Sequence, residues 1–97
     1  MSTLVLFEVE AATGMTEDLI ALFQEALLDT RGYDGCQSVS VHRDQDAPER
    51  LVLVERWTSR PEHEGYLRWR ADRGDGPKLA ALVAGPPQVR YLDDVEA

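Results

Sequence analysis

The sequence predicts an α+β fold of the ferredoxin-like kind: a four-stranded antiparallel sheet with its helices on one face. Three observations carry that prediction. Two short apolar runs rich in β-branched residues, Leu4-Val5-Leu6-Phe7 and Leu51-Val52-Leu53-Val54, have the length of strands and not of helices. A third stretch from Gln37 alternates with period two, Val39 and Val41 opposing Ser38, Ser40 and His42. Between and after these lie two segments with helical spacing, so the elements read β-α-β-β-α-β, the split order of a ferredoxin-like domain.

The first strand covers residues 4–10, with Val5, Phe7 and Val9 on one face. Thr13-Gly14-Met15 makes the turn, and Thr16 is the expected N-cap, with Glu17 and Asp18 at the positive end of the helix dipole. Leu19, Phe23, Ala26, Leu27 and Thr30 then fall at three- and four-residue steps, an apolar stripe running to about Thr30, and Gly32 closes it. The polar loop 44–49 makes a long hairpin between the second and third strands. After Trp57, Ser59 and Glu62 form a capping box with Pro61 in the first turn, opening a helix from Pro61 to about Ala71. Gly74-Asp75-Gly76-Pro77 breaks it and starts a shorter helix through Leu79, Ala80, Leu82 and Val83. Gly85-Pro86-Pro87 ends that one, and residues 88–93 form the last strand. The runs at 4–7 and 51–54 are apolar on both faces, although such a sheet normally leaves one face wet. A second copy of the chain, sheet against sheet, is the simplest cover, so a homodimer is expected.

Ninety-seven residues make one domain, 1–97, which buries only about 60–65% of its unfolded surface, and this too favours oligomerisation. Ten basic against eighteen acidic residues give a net charge of −8, a field that repels phosphate backbones and anionic lipid, so neither nucleic acid nor a membrane is an expected partner. No run approaches the roughly 18–20 apolar residues of a span, and Met1-Ser2-Thr3 leads straight into a strand without a basic or cleavable segment. A cytoplasmic location is expected. Cys36, the single cysteine, reads as a small buried residue at a strand start and excludes a disulfide framework. With only two histidines and no suitably spaced carboxylates, no metal site and no cofactor are expected. The arginines between 68 and 73 read as a solvated helix exterior.

The candidate site lies at the corner where the third strand turns into the second helix. Trp57, Tyr66 and Trp69 gather there and could stack on an aromatic ring, with the Tyr66 hydroxyl and the Trp69 N–H as polar handles. Phe23, on the stripe of the first helix, is a further substrate-binding candidate. His63 stands three residues before Tyr66 and is the candidate base, at or near the mouth of an apolar cavity. Three of them have a plainer reading: Trp57 as a core plug, Trp69 as an interface residue, His63 as a solvated histidine of a helix start.

The element order, Gly35-Cys36 opening a strand, Arg43-Asp44 before a polar loop, Leu53-Val54-Glu55-Arg56-Trp57 followed by Thr58-Ser59-Arg60, the Tyr66-Leu67 pair and Leu82-Val83-Ala84-Gly85-Pro86-Pro87 together resemble the antibiotic biosynthesis monooxygenase family. The resemblance implies a dimeric α/β barrel with an apolar cavity between sheet and helices in each subunit. It also implies oxygenation of polyphenols or quinols without a cofactor. Many members have a histidine where this chain has Tyr66. A haem-degrading branch of the superfamily needs an axial histidine further along, and none follows His63. The function expected is therefore a cofactor-independent monooxygenase acting on a hydroxylated aromatic or quinol, with Tyr66 and His63 as catalytic residues. The alternatives are a non-catalytic dimeric binder of a small ligand, or an isomerase or decarboxylase on the same barrel.

Overall fold

Strand β3 (Arg50–Trp57) sits inside the sheet, paired with β2 (Cys36–Arg43) on one side and β1 (Thr3–Glu10) on the other, and β4 (Gln88–Leu92) completes the order β2-β3-β1-β4. All three pairings are antiparallel. Helices α1 (Thr16–Arg31) and α2 (Arg60–Asp72) link the strands in the predicted order, and a five-residue helix α3 (Gly76–Ala80) precedes β4. The computed structural model describes residues 2–97; Met1, the first residue of the start read above as free of a leader, lies outside them.

With neighbours on both edges, β3 has its alternation fixed by the ladder, and a slip of one residue would invert every side chain. Leu51, Leu53, Glu55 and Trp57 are all buried beneath the helices. In register with them lie Val5, Phe7 and Val9 of β1, facing the same way. Leu19, Phe23 and Leu27 of α1 close one half of this layer with Val9, Leu51 and Leu53. Tyr66 of α2 closes the other half over Val5 and Trp57, with Leu67, Trp69, Val89 and Tyr91 packed around it. The opposite sheet face carries Leu4, Leu6, Val52, Val54 and Leu92 in adjacent ladder positions, all only half buried. Ser38, Ser40 and His42 continue it as an exposed polar edge.

Several boundaries differ from the sequence expectation. Thr16 is the first helical residue, and Met15 takes the cap position without a side-chain hydrogen bond, so the acidic first turn alone faces the N-terminal amides. Gly32 caps α1 in an ordinary right-handed conformation, φ −91°. Leu82 and Val83 leave the helix because the end of β1 claims their backbone: Ala12 N–H donates to the Leu82 carbonyl, Ala84 N–H to that of Glu10, and Val83 bridges Ala11. Half the capping box forms, Glu62 N–H donating to Ser59 Oγ at 3.4 Å, while the Glu62 carboxylate lies against Gly35 instead of returning to Ser59. Cys36 is half buried at a bulge in the β2–β3 ladder.

Gly35 is the most closely packed of the described glycines. Its φ of +95° is in the left-handed region, and a Cβ there would collide with the Glu62 side chain. Gly74 has a similar φ of +79° but open space around it. Both alanine variants should lose about 1–2 kcal/mol for the backbone alone. Gly35→Ala should lose more than Gly74→Ala, the excess being the displacement of Glu62, and urea unfolding of the two variants side by side measures it.

Candidate functional site

A cavity of about 380 Å³ opens between the helix side of the sheet and α1, α2 and α3. Phe7 and Leu53 from the sheet, Phe23 and Leu27 from α1, Leu67 from α2 and Leu79 from α3 make its walls apolar. Two polar groups are set into those walls.

The first is a corner formed by β3, α2 and β4. The alternation that buries Leu51, Leu53 and Trp57 also buries Glu55, a carboxylate on an otherwise apolar face, 3% exposed. Residues two apart on a strand share a face, so the Trp57 indole N–H reaches Glu55 Oε1 at 2.9 Å. His63, in the first turn of α2, drops onto the same corner with no exposed surface. Its Nδ1 is 2.8 Å from the Tyr91 hydroxyl, and its Nε2 lies 3.7 Å from Glu55 Oε1 with no hydrogen-bond partner. Burial pushes the imidazole down to about 4, against the pull of Glu64, so it is neutral at pH 7. Burial likewise raises the Glu55 carboxyl, with the Trp57 hydrogen bond opposing.

The second is a knot around Arg70. Its Nε donates to the Tyr66 hydroxyl at 2.8 Å, its Nη2 to the Ala26 carbonyl at 2.6 Å and to Thr30 Oγ1 at 3.2 Å, and its Nη1 to Asp75 at 3.0 Å. Tyr66 and Thr30 share a further bond of 2.6 Å. One guanidinium thus ties α1, α2 and the approach to α3, and it holds the Asp75 carboxyl below its ordinary range.

Of the five residues expected to form the site, the structure brings Phe23, His63 and Tyr66 to the cavity wall. Trp57 and Trp69 do not line it. Trp57 is wholly buried behind them, its ring 5.1 Å from those of His63 and Tyr66. Trp69 lies outward, against Tyr33 at 5.2 Å with the Arg73 guanidinium 4.5 Å above it. His63 is enclosed and not at the mouth, because its step along α2 faces the sheet. Arg70, read as part of a solvated exterior, turns inward for the same helical reason: it follows Tyr66 by one turn. Glu55, Tyr91 and Thr30 were not anticipated. For Glu55 the signal was present, since period two places it between Leu53 and Trp57 on the buried face. For Tyr91 and Thr30 no local pattern gives the pairing, which joins residues 28 and 36 positions apart.

Among the described residues no three His, Cys, Asp or Glu side chains converge as metal ligands, and no helix is long and apolar enough to cross a membrane.

The family model of antibiotic biosynthesis monooxygenases matches residues 3–71, a span that holds Glu55, Trp57, His63, Tyr66 and Arg70. The chain belongs to the antibiotic biosynthesis monooxygenase family. The fold is that of its solved relatives. A Bordetella bronchiseptica protein described as a candidate antibiotic biosynthesis monooxygenase is 28% identical, with 98% of each chain covered and a TM-score of 0.85. Rv0793 from Mycobacterium tuberculosis is 27% identical over 100% of this chain and 98% of that one, with a TM-score of 0.77. A conserved protein of Methanosarcina mazei shares the fold at 15% identity, covering 95% and 91% of the two chains with a TM-score of 0.84. No curated protein matches the sequence.

In this family member the buried imidazole makes stability depend on pH. The unfolded chain binds a proton at His63 near 6.5, whereas the folded chain does so only near 4, so acid favours the unfolded state through that window. Between pH 7 and pH 5 His63 should cost the fold about 2 kcal/mol, at 1.36 kcal/mol per unit of separation. Urea unfolding at the two pH values should show that loss in the wild type and not in His63→Gln.

Proposed function

We propose that this chain is a cofactor-independent monooxygenase of a hydroxylated aromatic or quinol. It works as a cytoplasmic homodimer whose two sheets face each other. The observation that carries the reading is the cavity: its volume lies within the 300–1,000 Å³ of small-molecule sites, and its mostly apolar walls carry two clusters of convergent polar groups.

Such a reaction asks the protein for an apolar hold on an electron-rich ring, donors for its oxygens and a group that takes the hydroxyl proton. The anion left behind gives an electron to dioxygen, the two radicals join at a ring carbon, and the peroxide loses water to leave a carbonyl. One oxygen atom enters the product and the other leaves as water. In this reading Phe23 packs on the ring, the Tyr66 hydroxyl orients an oxygen, and the His63 corner handles the proton. Trp57 and Trp69 act from behind the wall, keeping His63 and Tyr66 in place. Sheet-to-sheet pairing is supported by the row of Leu4, Leu6, Val52, Val54 and Leu92, which one subunit leaves half open.

Oxygen-electrode assays over hydroquinones, anthrones and naphthols, with a metal chelator present, should show substrate-dependent oxygen uptake with one substrate class. Binding without uptake would favour a ligand-binding protein, and product without uptake an isomerase or decarboxylase. Tyr66→Phe should lower turnover about tenfold, the worth of one hydrogen bond. Because the hydroxyl also receives Arg70 and meets Thr30, it should cost about 1–3 kcal/mol of stability as well. Light scattering should give about twice the chain mass of 10.9 kDa. Val52→Asp, which places an unpaired charge in the covered face, should return the mass to that of one chain.

A further inference from the structure

Two groups in the buried corner could take a proton from a bound ligand, and geometry separates them. Neutral imidazole has one N–H and one lone pair. Nε2 faces a carboxylate oxygen 3.7 Å away, and Nδ1 faces a tyrosine hydroxyl at 2.8 Å. A lone pair turned to the carboxylate would be repelled, so the proton sits on Nε2, and Tyr91 donates its hydroxyl hydrogen to Nδ1. Held this way, His63 has no vacant lone pair toward the cavity, and its side chain has no accessible surface. Glu55 differs on both counts. Oε1 is engaged by Trp57, whereas Oε2 accepts no hydrogen bond among the described residues, and the side chain keeps 4% of its surface open beside the cavity.

We propose that Glu55 Oε2 is the atom that takes the proton from a ring hydroxyl of the substrate, and that His63, packed against the carboxylate with Nε2 3.7 Å from Oε1, is a positioning residue. The inference rests on the reading of the cavity as a hydroxyaromatic site. In the step, the substrate O–H bond breaks, the proton passes to Oε2, and the electron pair stays on the ring oxygen. The phenolate formed is the species that dioxygen oxidises. Burial favours this direction, because a carboxylate raised above its usual range is a stronger base than one in water, and the neutral imidazole beside it adds no positive charge to lower it. The other titratable or charged groups around Glu55 are the Tyr91 hydroxyl on β4 and the Cys36 thiol on β2; those on the rest of the cavity wall are Tyr66 and Arg70 on α2, Glu25 and Asp29 on α1, and Arg73, Asp75 and Lys78 at and before α3.

The test compares the wild type with Glu55→Gln, whose amide carbonyl can still accept the Trp57 N–H. With a naphthol protonated at the assay pH, Glu55→Gln should lower turnover about a hundredfold or more, the usual worth of a positioned base. With a nitro-substituted naphthol already ionised at that pH, the ratio of wild-type to variant turnover should shrink toward one. Wild-type turnover should rise with pH as Glu55 loses its proton, and the variant should lack that limb. Glu55→Asp, which keeps a carboxylate set back by one methylene, should be slower than wild type but retain the limb. Equal ratios for both naphthols, or turnover in Glu55→Gln within threefold of wild type, would overturn the proposal.

An anaerobic arm judges Glu55 apart from oxygenation. By fluorescence titration, wild type should bind 2-naphthol more tightly than 2-methoxynaphthalene, and that preference should fade as Glu55 is protonated. In Glu55→Gln the preference should not vary with pH. If wild type consumes no oxygen with any substrate, the monooxygenase reading fails alone and this titration decides Glu55; a preference equally pH-dependent in both proteins would overturn its role.

Discussion

The hydrogen bond from the Trp57 indole to the Glu55 carboxylate is the contact on which the helix side of the sheet depends. It joins the largest buried ring to the one buried carboxylate among the described residues, and it lets both share a face with Leu51 and Leu53. Without that donor, a buried carboxylate would leave its charge uncompensated, and such a group is tolerated only when hydrogen-bonded. His63 is the second half of the same arrangement. It can be enclosed because it is neutral, and its Nδ1 meets the hydroxyl of a tyrosine from the far end of the chain. Strand β4, though only five residues long, therefore contributes to the corner as well as to the sheet.

The two polar groups have different physical characters. The Arg70 knot is saturated: each of its bonds ends on a named acceptor, and its chief effect is to fix α1 against α2 and the approach to α3. The Glu55 corner is unsaturated, with one oxygen and one imidazole nitrogen lacking partners. Saturated networks rigidify, whereas incomplete ones in a cavity wall are where a ligand can add a bond. The aromatic rings of Tyr33, Trp57, Tyr66 and Trp69 lie between the two, packed edge-on or tilted with centroids 5.1–6.2 Å apart, so the wall behind the site is stiff.

The order of elements along the chain and both long helices were legible in the sequence because of patterns that one can count: period two at 37–42, steps of three and four from Leu19, and the Ser59 cap with Pro61. The short helix was overread because the pull of the β1 end on Leu82 and Val83 is a tertiary effect with no local signature. In the site, the three-residue step from His63 to Tyr66 gave the correct face of α2, and one further turn, to position 70, argues against Arg70 as an exterior residue. Trp57 and Trp69 have the aromatic character of a binding wall, yet both lie behind it. Glu55 stood in plain alternation and was passed over, although a lone charged residue on an apolar face is the more informative sign.

The match to the family ends at residue 71, and the cavity does not. Asp75, Gly76, Lys78 and Leu79, which close its outer side, lie beyond that point, while Glu55, His63, Tyr66 and Arg70 lie before it. The chain thus separates a polar floor, carried by elements packed on the sheet, from a roof carried by a five-residue helix between two glycine-containing turns. Insertions or exchanges in the roof would reshape the room above the floor and leave the ladder beneath it intact. Changes confined to this segment would therefore alter the size and outline of the cavity while the polar groups of its floor keep their places.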